Sequence, residues 1–281
     1  MKKILVPCDF SKPAVQAFRY ALDIAAQSSN GFVHLLYVVE IPVINDSMLM
    51  PVVPFEDGLL EEIKQKMLRE FTKMNDKYNK DSVKTSIEVQ FGRPAEMIQS
   101  YVANNGIELI IMGSHGAKGA KELFIGSNAE RVVRNSSVPV IVLNNYFKGP
   151  IKNIVFPNTL ETENQESLVQ RVKVLQNFFK AHLHIVWINT PINFTSDTIT
   201  LARLNAFAKR FQFKDYSVNV FNHLSPEEGI IEFANAVDGS LIAMGTHGRK
   251  GFAHIMHGSL TESLVNHTDK IVWSYVTKDN E

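Results

Sequence analysis

The chain is written twice, and that duplication limits what its 281 residues can fold into more than any other feature. Ile4-Leu5-Val6-Pro7 returns as Ile154-Val155-Phe156-Pro157, and His34-Leu35-Leu36-Tyr37 returns as His184-Ile185-Val186-Trp187, both after a shift of 150 with no insertion between them. Met112-Gly113-Ser114-His115-Gly116 and Gly126-Ser127 return as Met244-Gly245-Thr246-His247-Gly248 and Gly258-Ser259 after a shift of 132. The fall from 150 to 132 gives the first half 18 extra residues, placed by Pro42, Pro51, Pro54 and Gly58 in the turn-rich stretch Ile41 to Leu60. One supersecondary unit, solved once, then accounts for both halves. A boundary near Asn144 to Pro150 separates units of 1–146 and 150–281, each near the usual size of a domain.

Within each unit, strand and helix patterns alternate. Ile4 to Val6 and Phe32 to Val39 are apolar runs rich in β-branched residues. Ser11 stands where it can cap a helix whose Ala14, Phe18, Ala21 and Ala25 recur at helical spacing. Leu60, Ile63, Met67, Phe71, Met74 and Tyr78 step by three and four along a long amphipathic helix, matched in the second half by Leu201, Leu204, Ala208 and Phe211. Val83 to Phe91 alternates like a half-buried strand, but Val218 and Val220 fall out of phase with the 132 shift, which predicts a bulge or a compensating indel. A helix over Met97 to Ala103 after Pro94, a strand from Leu109 to Met112, a helix from about Ser127 to Asn135 and a strand from Val138 to Leu143 complete the unit. Continuous apolar strands alternating with helices predict an α/β fold of two tandem Rossmann-like, doubly wound parallel five-stranded sheets, each of order 3-2-1-4-5. Ligands of such sheets bind beyond the strand C-termini where the order reverses, here between the first and fourth strands. The loops to inspect are therefore Pro7 to Ser11 and Gly113 to Ser127.

The second of these loops reads Gly113-x2-Gly116-x9-Gly126-Ser127 and recurs as Gly245-x2-Gly248-x9-Gly258-Ser259. Glycines after a strand let backbone amides approach a phosphate closely, and Gly126-Ser127 would open a helix whose first amides attract anions, a cradle for a triphosphate. The plainer account is that these glycines only turn the chain. No Gly-x4-Gly-Lys-Ser/Thr run exists, and the glycines follow the fourth strand rather than the first, which disfavours a P-loop and a dinucleotide fingerprint alike. Lys and Arg number 29 and so do Asp and Glu, which removes the field of a dedicated nucleic-acid or anionic-membrane binder. The single Cys8 excludes an intrachain disulfide, the N-terminus turns polar too early for a signal peptide, and no apolar run reaches the roughly 18 residues of a spanning helix. These features point to a cytoplasmic protein with neither membrane nor nucleic acid as partner.

With the doubled loop and the opening Ile4-Leu5-Val6-Pro7-Cys8-Asp9-Phe10-Ser11, both halves resemble domains of the universal stress protein family in tandem. The resemblance implies a cytosolic adenine-nucleotide-binding regulator of stress or starvation survival, with ATP or AMP as ligand and Mg2+ as counter-ion of a triphosphate. It implies that Asp9 accepts hydrogen bonds from the ribose, that Pro7, Val38 and Met112 enclose the adenine, and that Gly113, Gly116, Gly126 and Ser127 hold the phosphates. Asn128 stands beside them where nucleotide-binding relatives usually carry a small apolar residue. The second half keeps Met244, Gly245, Gly248, Gly258 and Ser259, but Thr159 replaces Asp9, Asn158 replaces Cys8 and Leu260 replaces Asn128. Its site is expected to bind more weakly or to take another phosphate-bearing ligand. The resemblance further implies an intrachain pseudo-dimer in which Val138 to Leu143 pairs with Ile271 to Val276. It leaves the regulatory protein partner unidentified and a homodimer of whole chains open.

Each singled-out residue also has a simpler account. Asp9 can cap the first helix. His115 and His247 invite a general-base role, yet neither has an identifiable carboxylate partner, and a polar loop residue suffices. His247, His254 and His257 lack zinc-ligand spacing, so no metal is expected there. Lys118, Lys121 and Lys250 can neutralise phosphate or simply face water. Cys8 is either redox-active or a small buried hydrophobe. Phe178, Phe179 and Trp187 are assigned to the second core, while Met48 to Phe55 either covers the first site or meets a partner. The leading reading is a non-enzymatic regulator. A slow ATPase or phosphotransferase, and a protein-binding scaffold with vestigial loops, stand beside it.

Overall fold

The computed structural model describes residues 1–40, 57–114, 125–160, 165–247 and 257–277. In the first half, β1 (Lys3–Pro7), α1 (Lys12–Ala26), β2 (Phe32–Val39), α2 (Asp57–Tyr78), β3 (Lys84–Phe91), α3 (Pro94–Asn105), β4 (Leu109–Gly113), α4 (Ser127–Asn135) and β5 (Val140–Leu143) follow one another. The second half repeats the order with β6 (Asn153–Pro157), α5 (Glu166–Phe179), β7 (His182–Asn189), α6 (Asp197–Arg210), β8 (Tyr216–Asn222), α7 (Pro226–Ala236), β9 (Leu241–His247), α8 (His257–His267) and β10 (Ile271–Thr277). The strands form one sheet ordered β3-β2-β1-β4-β5-β10-β9-β6-β7-β8, so each half runs 3-2-1-4-5 in its own count. The two sheets of the sequence reading are thus joined edge to edge. Every pairing within a half is parallel, whereas β5 meets β10 antiparallel, with Val142 opposite Val272, Ile141 opposite Trp273 and Val140 opposite Ser274.

Alternation along the strands sends successive side chains to opposite faces, and helices cover both. On one face Ile4, Val6, Ile111 and Ile141 pack with residues of α1 and α5, and this cluster runs on through Trp273 into the second half. On the other, Leu5, Ile110, Val142 and Val272 pack with residues of α3, α4, α7 and α8. Both cores therefore cross the seam without a break. Arg134 of α4 holds Glu262 of α8 at 2.6 Å, and the Asn144 amide donates to the carbonyls of Val265 and Thr268, at 2.6 and 3.0 Å, at the end of α8. The indole N–H of Trp273 is buried there without a hydrogen-bond partner.

The halves differ in ways the repeat hides. The strand-to-helix connection after β2 covers 40–56 against 190–196 after β7, and α2 has 22 residues against 14 in α6. Part of the extra length thus extends a helix instead of lying wholly in Ile41 to Leu60, because the stripe ending at Tyr78 has enough apolar positions to continue it; Met48 to Phe55 lies outside the described residues. Ile87 opposes Leu35 as Val218 opposes Ile185, a shift of 131 in the third strand, and one more residue between β8 and α7 restores 132 at Pro226. The indel, not a bulge, explains the phase. Similarly, the connection after β1 covers 8–11 and that after β6 covers 158–165, while the one after α5 is shortened to 180–181 from 27–31. The equal spacing of the first two strands is therefore a net result of compensating changes. Leu201, assigned to the apolar stripe of α6, is exposed; Thr200, Leu204, Phe207 and Ala208 face the core.

Candidate functional site

The crevice begins where two neighbouring strands part. β1 pairs with β2 through all five of its residues, and Cys8 N–H continues the ladder to the Leu36 carbonyl at 3.0 Å. With β4 it pairs only at Ile4–Leu109 and Leu5–Ile110. β4 instead follows β5 to its end, and Ser114 N–H still reaches the Leu143 carbonyl at 3.0 Å. Beyond Leu5 the backbones of β1 and β4 are no longer bonded to each other, at the point where the strand order reverses.

Around this opening stand most of the residues singled out in the sequence. Met112 and Val38 belong to the same core face, and alternation from Leu5 puts Pro7 on that face too. The start of α4 lies on that face as well, tied to the end of β4 by Gly126 N–H donating to the Ser114 carbonyl at 2.7 Å. Gly126 is the N-cap of α4 and has no side chain to bond the first-turn amides; Ser127 is exposed and Asn128 half-buried. Asp9 is exposed, with its Oδ1 accepting the Ser11 N–H at 3.0 Å, while Ser11 Oγ accepts the Ala14 N–H at 3.4 Å. Helix capping thus falls to Ser11, and Asp9 shapes the turn before it. Phe10 sits there at φ 60°, its ring 5.7 Å from that of Tyr37. Burial, then the nearby Asp9 carboxylate, raises the Tyr37 pKa. Burial likewise pushes the Cys8 thiol up to about 12, which makes it a buried hydrophobe rather than a reactive group.

Gly113 has a role that spacing alone could not reveal. Its backbone is not left-handed, so it does not serve to turn the chain. A Cβ there would lie 2.5 Å from Pro13 Cβ and 2.7 Å from the Pro13 carbonyl carbon, so its absence lets the first turn of α1 rest on β4. Gly245 has the same backbone character, but its missing Cβ would meet Leu168 Cδ2 at 2.5 Å. Gly116, Gly248, His115, His254, Lys118, Lys121 and Lys250 lie outside the described residues. Met244 and Gly245 lie within β9, and Gly258 and Ser259 within the first turn of α8. Among the described residues no cluster of three or more His, Cys, Asp or Glu is placed to hold a metal ion, and no helix is long and apolar enough to cross a membrane. A separate groove between α3 and α4, lined by Arg93, Ala95, Glu96, Gln99, Arg131 and Asn135, shares no residue with the crevice.

The family model of the universal stress proteins matches residues 1–144 and again 154–274. The chain belongs to the universal stress protein family. Universal stress protein MJ0531 of Methanocaldococcus jannaschii is 32% identical over 149 residues, which cover 50% of this chain and 81% of that protein. Universal stress protein MJ0577 of the same organism is 30% identical over 153 residues, covering 50% of this chain and 94% of its own length. A crystal structure of a universal stress protein from Archaeoglobus fulgidus aligns over 99% of this chain and 97% of its own at a TM-score of 0.72 and 19% identity, a likeness of fold. Two of the relatives are thus about the length of one half, and this universal stress protein carries the family unit twice.

Proposed function

We propose that the first half binds an adenine nucleotide, ATP or AMP, in the crevice between β1 and β4, and that the chain is a non-enzymatic cytoplasmic regulator of the stress response. What supports this reading is that Asp9 follows the end of β1, that Val38 and Met112 share one face of the sheet with the start of α4, and that the N-cap glycine of α4 has no capping side chain. A flat ring suits the apolar side chains Pro7, Val38 and Met112, a diol suits a carboxylate, and helix amides with no capping side chain suit phosphate oxygens. Mg2+ would accompany a triphosphate as counter-ion. A charge-assisted hydrogen bond from the ribose to Asp9 is worth roughly 1.5–3 kcal/mol, or about ten- to a hundredfold in affinity.

Isothermal titration with ATP and AMP, using GTP as control, tests the reading. Wild type should bind adenine nucleotides and Asp9→Asn should weaken them by that factor; equal binding by both proteins would refute the site. Under single-turnover conditions bound ATP should remain intact, and phosphate release would replace the regulator with an ATPase.

A further inference from the structure

We propose that β8, the outer strand of the second half, is an interface at which two copies of the chain join antiparallel about a twofold axis through Asn219. β8 ends the sheet, and among the described residues no strand lies beyond it. On its inner side the Leu183 N–H donates to the Asp215 carbonyl and the His223 N–H to the Asn189 carbonyl, both at 3.0 Å. Alternation between those two bonds turns the main chain of Ser217, Asn219 and Phe221 toward β7 and that of Tyr216, Val218, Val220 and Asn222 outward. Exposed edges of this kind are commonly blunted by charges or proline. β3, at the opposite end of the sheet, carries Lys84 and Glu88; Tyr216–Asn222 has neither a charge nor a proline.

Apolar surface gathers at the same edge. Of the seven large apolar side chains exposed among the described residues, Ile192, Phe194, Ile199, Leu201 and Leu224 belong to the connection after β7, the first turns of α6 and the turn after β8. Ile192 and Leu224 are each 83% exposed and Phe194 72%. Buried Asn189 ties the two connections together: its amide donates to Asn222 Oδ1 at 2.8 Å and its Oδ1 accepts the Thr195 N–H at 3.0 Å. At about 200 Å2 for a fully exposed side chain of this size, the five present roughly 600 Å2, the greater part of the ~800 Å2 that each partner gives to a standard interface.

A second copy fits this edge by charge as well as by surface. α6 covers β8 on one face, where Leu204, Phe207 and Ala208 belong to the cluster against which Val218 and Val220 pack. Arg210 reaches Glu166 of α5 at 2.9 Å, so the flank of α6 turned away from α5 is that of Leu201, Asn205 and Lys209. The helix begins with Asp197 and ends with Lys209 and Arg210. Antiparallel joining sets the acidic end of one α6 beside the basic end of the other, with their dipoles opposed and Leu201 between. Along the strands Val218 faces Val220 and Asn219 faces Asn219, so no like charges are opposed. The β5–β10 seam shows that two such sheets join antiparallel with helices on both faces.

Sedimentation velocity of the full chain without nucleotide, across micromolar concentrations, should show a dimer. Leu201→Lys combined with Leu224→Lys, both at exposed positions, should raise its dissociation constant by about tenfold or more, while Val174→Lys on the exposed face of α5 should leave it unchanged. Residues facing each other across a non-hydrogen-bonded antiparallel pair have Cα atoms about 4.5 Å apart, within disulfide reach. Asn219→Cys should therefore give a reducible cross-linked dimer on mild oxidation, with Cys8 buried out of reach. A monomer throughout, a dimer indifferent to the double variant, or no cross-link from Asn219→Cys would overturn the proposal. None of these outcomes bears on nucleotide binding by the first half.

Discussion

Alanine at Gly113 and alanine at Gly245 are the same substitution at the same motif position, and the structure expects them to differ. In strands, replacing Gly by Ala recovers roughly 0.5–1 kcal/mol of backbone entropy. Overpacking costs typically about 1–3 kcal/mol, depending on what must move. At Gly113 the new methyl meets Pro13 Cβ at 2.5 Å, the Pro13 carbonyl carbon at 2.7 Å and the Ala14 nitrogen at 3.0 Å. All belong to the rigid start of α1, so the helix itself must shift. At Gly245 only the Leu168 Cδ2 lies within 3 Å, and the next atoms, at 3.5 and 3.6 Å, are in ordinary contact. A rotation of the leucine end relieves that clash. The net loss should be about 1–2 kcal/mol for Gly113→Ala and about 0–1 kcal/mol for Gly245→Ala. The difference, near 1 kcal/mol, corresponds to roughly 2–4 °C in Tm for a chain of this size. Urea midpoints and calorimetric scans of both variants, without nucleotide, measure it. If Gly245→Ala proves as destabilising as Gly113→Ala, the claim that backbone packing of α1 requires the first glycine is wrong.

Cys8 should resist Ellman's reagent in the native protein and react once the chain is unfolded in urea, because burial raises its thiol to about 12; prompt native labelling would restore a redox role. His34 and His184 have pKa values lowered chiefly by burial, so the unfolded chain binds their protons more readily. Their contribution to stability is present above the ordinary imidazole pKa of about 6.5 and is lost as the pH falls from there through the lowered values. Urea midpoints at pH 7.5 and pH 5.5 should show this loss, and a smaller one in the double variant His34→Gln, His184→Gln; an unchanged slope would refute the assignment.

The repeat and the strand order within each half were legible because each rests on apolar periodicity or on a pattern present twice, whereas the β5–β10 pairing was expected only from the family resemblance. Compensating changes were not. Adding residues before α5 and removing others after it leaves the strands in step, so counting from His34 to His184 conceals that the helix between them has slid along the chain. The glycine spacing was read as phosphate chemistry or as turning, and the packing of Pro13 on Gly113 escaped both because it joins segments 100 residues apart. Asn158 and Thr159 were visible as replacements. The burial of Leu160 beside them was not, since its left-handed backbone leaves no mark in a hydrophobic pattern.

At the centre of the antiparallel seam, Ile141 faces Trp273, and these are the same position of the unit in its two copies. Two identical subunits meeting about a twofold axis must oppose each residue on that axis with itself. Here an aliphatic and an indole confront each other instead, an arrangement open only to partners of unlike sequence, which the two halves of one chain are. Fusion makes their association independent of protein concentration and frees each edge from self-complementarity. One copy can then drift in its chemistry while the other keeps the ancestral role.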